Sequence, residues 1–179
     1  MSDTNATATD SFTVATGTVT LPTGVLTVGD DFVVKSAVTH AGGEVKVTGT
    51  GGGNLVTLAA STLGSLTIDA GAGDYTLTDA SAALTKNLTI QSGSFTVGTG
   101  TLSVGGSFDA SAGTFTQTAG TVLFNSSDTG EIINAGANIF YNLVLAGAGG
   151  GWTIVENATT TNNFTLSLGS SFTLSSGKI

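Results

Sequence analysis

Large apolar residues return along this chain at short, regular intervals, and glycine, serine and threonine fill the gaps between them. In "LTIQSGSFTVGTGTLSVGGSF", residues 88 to 108, they stand at Leu88, Phe95, Leu102 and Phe108. The first three each open a triplet that reads apolar, Thr or Ser, apolar. Strand side chains alternate between faces, so the outer two residues of such a triplet face one side and the middle one the other. Three or four residues of strand and as many of turn are too tightly spaced for a sandwich, whose strands recur about every 8–12 residues. The beat predicts a coil in which three short strands make one turn.

A longer period is superposed on the beat. Phe12, Val19, Leu26 and Phe32 recur 76 residues later as Leu88, Phe95, Leu102 and Phe108. Val38, Val45, Leu55, Leu66 and Tyr75 recur at 77 as Phe115, Val122, Ile132, Leu143 and Trp152. The chain therefore divides into a polar N-terminal arm, residues 1–11, and a solenoid, residues 12–179, with long repeats 12–87 and 88–163 and a partial repeat 164–179.

Grouping the anchors in threes gives seven coils, two compact ones followed by one expanded, in that order twice. Stacked in parallel, they predict three interior columns. The first is Phe12, Phe32, Leu55, Leu88, Phe108, Ile132 and Phe164. The second is Val19, Val38, Leu66, Phe95, Phe115, Leu143 and Phe172, and the third is Leu26, Val45, Tyr75, Leu102, Val122, Trp152 and Ile179. The expected fold is all-β: a single parallel β-solenoid of triangular cross-section.

Composition agrees with strands. The 179 residues are 40% hydrophobic and only 9% charged, which opposes disorder, and 33 of them are the strand former threonine. Glycines such as Gly17, Gly24, Gly93, Gly100 and Gly113 fall where corners are expected, and so does Pro22. Twelve acids against four lysines, with no arginine, leave a net charge of −8. That balance disfavours nucleic acid and anionic membrane as partners. No run reaches the roughly 18 apolar residues of a membrane span. The opening "MSDTNATATDS" has neither the basic nor the apolar region of a signal peptide.

Candidate chemistry is sparse. The only histidine, His40, has Gln117 as its counterpart in the next long repeat, and no cysteine is present, so no nucleophilic triad can be assembled. Asp30 and Asp31 are adjacent, and Asp69, Asp74 and Asp79 lie close in sequence, but their counterparts Ala146, Gly151 and Glu156 keep only one acid. No catalytic residue, cofactor or metal ligand is expected, and a carbohydrate-binding or carbohydrate-cleaving β-helix is the alternative these acids keep open. A second alternative is ice binding through a Ser/Thr-x-Thr face. Its array would be Thr20, Thr39, Thr67, Thr96, Thr116 and Thr173.

The runs "LTIQSGSFTVGTGTLSVGGSF" and "NLVLAGAGGGWTIVENATTTNNFTLSLGSSFTLSSG" resemble the repetitive β-solenoid passengers of bacterial surface adhesins and autotransporters. The resemblance is one of rhythm and composition and covers nearly the whole chain. It implies an elongated, non-catalytic protein, extracellular or at the cell surface, and it carries no site residues across. A glycan or a host surface is a partner compatible with it. The end coils supply the remaining expectation. Uncovered apolar layers at Phe12, Val19 and Leu26, and at Phe164, Phe172 and Ile179, would make the chain its own partner, in a head-to-tail homopolymer.

Overall fold

The computed structural model describes residues 4–167 and 169–175. Among these residues every regular element is a β-strand and every strand pairing is parallel. The strands wind into a β-solenoid of about 8 turns, each turn crossing three walls. Wall A begins with Ala6–Ala8, wall B with Phe12–Val14 and wall C with Thr18–Thr20, and the chain revisits them in that order.

On wall A, Ala6, Leu26, Val45, Leu66, Leu88, Phe108, Ile133, Ile154 and Leu174 stand in register, 19 to 25 residues apart. Wall B stacks Phe12, Phe32, Val56, Leu77 and Val97, with Tyr75, Phe95 and Phe115 as a second inward column. Wall C stacks Ala82, Leu102, Val122, Leu143 and Phe164. These columns meet in one core whose largest wholly buried side chains include Trp152, Tyr75, Phe95, Phe108, Phe124 and Phe140. Ring centroids of Phe108 lie 5.2 Å from Phe115 and 5.4 Å from Phe140, so aromatic packing ties walls A and B together.

The coil is thus nearly uniform: its number of turns is close to the seven expected, and the expanded coils are not expanded. Residues 55–87 hold five wall strands, not three. Leu63 and the Ser81–Leu84 strand are the wall C members that the spacing of large anchors skipped. Leu66 and Tyr75 lie in two halves of one long run, Ser65–Leu77, which turns the corner from wall A to wall B. After that stretch the anchors slip by one wall. Phe12 is on wall B while its 76-residue counterpart Leu88 is on wall A. Leu55 and Ile132, placed inside, face outward at 36% and 43% exposure, and their neighbours Val56 and Ile133 are buried instead. The pairs within each compact double coil are in register as expected: Phe12 with Phe32, Val19 with Val38, Leu26 with Val45, Leu88 with Phe108, Phe95 with Phe115 and Leu102 with Val122.

Within the segment read as an arm, residues 1–11, the described part forms the first strand of the coil. Ala6–Ala8 pairs with Val25–Val28, and Asn5 accepts a 2.8 Å hydrogen bond from the Val25 N–H through its side chain. Leu26 is in consequence only 3% exposed.

Corners explain much of the glycine. A Cβ on Gly43 would come within 2.4 Å of the Gly24 carbonyl oxygen, and one on Gly64 within 2.1 Å of the Gly43 carbonyl oxygen. At this corner the stacked backbones leave no room for a side chain. The corner between walls B and C is different, because Ala59 and Ala60 hold φ of 47° and 64° without being glycine.

Candidate functional site

The threonines expected as one array lie on three walls. Thr20 and Thr39 are neighbours on wall C with hydroxyls 3.1 Å apart. Thr67 and Thr173 belong to wall A, and Thr67 is buried. Only Thr96 and Thr116 share wall B, in register. The wall slip described above is the reason for the correction.

Wall B nevertheless gathers a hydroxyl array of its own. Thr76, Thr96 and Thr116 stand in one outward column, and Asp74, Ser94 and Thr114 form the column beside it. Thr57 and Thr78 flank them, with hydroxyls 2.6 Å apart. Thr118 continues the third row, its N–H donating to the Val97 carbonyl at 3.3 Å. Ile139, 46% exposed, extends the central column beyond Thr116, and Leu55 precedes Thr76 in it. Thr76, Thr78 and Thr118 were missed in the sequence. Their Thr-x-Thr spacing was visible, but its face could be assigned only after the walls were phased.

The carboxylates are engaged by the backbone of adjacent coils. Asp31 accepts from the Leu55 N–H at 2.7 Å and Asp74 from the Gly53 N–H at 2.9 Å. Asp79 accepts from both the Leu58 and the Ala59 N–H groups, at 2.7 and 2.9 Å, and so clamps the left-handed alanine pair. Asp69 receives the Lys46 ammonium at 2.8 Å and the Ser92 hydroxyl at 2.8 Å. These two hydrogen bonds, that from Lys46 foremost, hold its carboxyl below the usual carboxylate range. Among the described residues no group of three or more His, Cys, Asp or Glu is arranged to hold a metal.

His40 sits at a corner, where its Nδ1 accepts from the Gly42 N–H at 3.1 Å. Lys86 donates to the Gly42 carbonyl at 2.8 Å. Partial burial, and then the nearby Lys86 charge, push the imidazole below its ordinary value.

The two ends of the described coil differ. Leu26 is covered, and Phe12 and Val19 are partly buried against the core. Phe164, Leu166, Phe172 and Leu174 are 44%, 42%, 38% and 43% exposed, and the rings of Phe164 and Phe172 meet edge-on at 5.6 Å. Ile179 lies outside the described residues.

The chain matches no protein-family model, and no curated protein or solved structure matches it. Its class rests on the fold: a parallel β-solenoid repeat protein.

Proposed function

We propose that the chain is a non-enzymatic structural protein, a rod-forming element of an extracellular or cell-surface assembly that lengthens by stacking coil on coil with its own kind. The observation that carries this reading is the apolar layer at Phe164, Leu166, Phe172 and Leu174, exposed on the last described strands. In earlier coils inward positions are closed by the next coil in register, as Leu143 is by Phe164 and Ile154 by Leu174. A parallel strand edge also presents unpaired N–H and C=O groups, which template a further strand. A second copy entering by its first coil satisfies both needs, and such a heterologous contact does not close on itself.

The state of the polar groups supports a scaffold over a catalyst. Asp31, Asp74 and Asp79 are bound to backbone N–H groups of neighbouring coils, and the one histidine is held by Gly42. The experiment is sedimentation combined with electron microscopy across a concentration series. Rods that lengthen with concentration are expected, and Phe172→Asp should return single short rods with unchanged circular dichroism. A wild-type chain that stays monomeric at high concentration overturns the self-association.

A further inference from the structure

We propose that wall B is an ice-binding face. Three consecutive coils, at residues 74–77, 94–97 and 114–117, pair there with no break in register. Their outward side chains form rows: Asp74, Thr76 and Thr78, then Ser94 and Thr96, then Thr114, Thr116 and Thr118. Adjacent strands lie about 4.8 Å apart, and alternate residues along a strand about 6.6 Å apart. The hydroxyls therefore follow a roughly rectangular mesh, with repeats of the same order as those between water oxygens on a face of hexagonal ice.

The chemistry of the mesh selects that ligand. Threonine offers a hydroxyl and a methyl on a stiff χ1, so each point of the mesh can hold a lattice water and shelter its neighbour at little entropic cost. The Thr57 and Thr78 hydroxyls are fixed by their mutual hydrogen bond at 2.6 Å. The only ionisable group in these rows is Asp74, and one of its oxygens is engaged by Gly53. Mobile charges would hold liquid-like water against the surface. Leu55 and Ile139 continue the central column in both directions as exposed aliphatics, which keeps it neutral and methyl-rich over five coils. No aromatic side chain stands in these rows. The rows therefore offer no ring on which a sugar could stack, and a protein partner would need a larger apolar centre.

The test is thermal hysteresis and partition into a growing ice front, measured on the whole chain. The wild type should shape ice crystals and enter the ice. The double variant Thr96→Tyr with Thr116→Tyr should lose most of both activities, while Thr101→Tyr on wall C keeps them; circular dichroism and melting of each variant report the fold. A folded wild type without hysteresis or ice partition overturns the proposal. Equal loss in the wall C variant also overturns it, as does binding to insoluble cellulose or chitin without binding to ice. Concentration-dependent rods form or fail to form independently of these readouts.

Discussion

The phenol of Tyr75 hydrogen-bonds to the backbones of two earlier turns at once. Its O–H donates to the carbonyl of Asp30, 45 residues back, at 2.9 Å, and its oxygen accepts from the N–H of Gly49, 26 residues back, at 2.8 Å. The ring is wholly buried. Tyr75→Phe leaves a buried N–H and a carbonyl without partners, and should destabilise the protein by about 1–3 kcal/mol in urea unfolding.

The same residue sets an alkaline limit. Burial, above all, raises the Tyr75 phenol above its ordinary value. A pKa raised in the folded state gives stability that is fully present below the unfolded value of about 10 and is lost as pH rises beyond it. Stability measured from pH 8 to 11 should therefore fall at the alkaline end, and the part of that fall due to this residue should vanish in Tyr75→Phe.

Phe115 packs inside against Phe95, Phe108 and Phe140, whereas Thr116, the next residue, faces out. Phe115→Ala should cost about 3–5 kcal/mol. Thr116→Ala should stay within about 0.5 kcal/mol. Equal costs in chemical denaturation would refute the assignment of faces.

At the corner of walls B and C, left-handed backbone at Ala60 works against its Cβ. Ala60→Gly should raise stability by up to about 1 kcal/mol, because the steric penalty exceeds the extra chain entropy of glycine. Asp79→Ala, which removes the acceptor for two N–H groups, should lower it by about 1–3 kcal/mol. Thermal melts of the two variants should shift in opposite directions.

Asp69 provides the acidic counterpart. Its carboxyl is depressed by the hydrogen bonds from Lys46 and Ser92, so its stabilisation is present above the ordinary carboxylate range and is lost as pH falls through the lower folded value. The pair is partly exposed, and Lys46→Met should cost less than about 1 kcal/mol. An NMR titration should nonetheless show Asp69 moving up towards the usual value.

How far the sequence discloses this fold depends on side-chain size. Wherever an inward position carries a large residue, as at Phe95 and Phe115 or Leu26 and Val45, periodicity finds both the strand and its partner. It fails where the inward residue is small or where two apolar residues are adjacent. Ala82 fills a core position with no bulk to mark it, and in Leu55-Val56 the second residue is the buried one. A miss of the first kind removes a strand from the count and rotates everything after it by one wall, whereas one of the second kind only turns the strand's face. The strands were therefore legible and their phase was not, and the threonine array, which depends on phase alone, was assigned to the wrong faces. The corner bonds of Asp31, Asp74 and Asp79 had no local signal, since their partners lie 20 or more residues away.

Because Leu88 and Phe108 occupy the same place on successive turns, the chain can be cut at one and rejoined at the other without altering the direction of either strand. Excising residues 88–107 would bring Phe108 onto Leu66 and Phe115 onto Tyr75, both apolar seats of the same kind. Apart from a few bonds that reach two turns back, such as that of Tyr75 to Asp30, each turn packs on its neighbours, so the loss is largely local. The molecule would shorten by one strand spacing, about 4.8 Å, and keep its girth. Length in this architecture is a counted quantity. Duplication or deletion of twenty residues moves it by one step, which makes the fold a ruler that a genome can lengthen or trim without redesigning it.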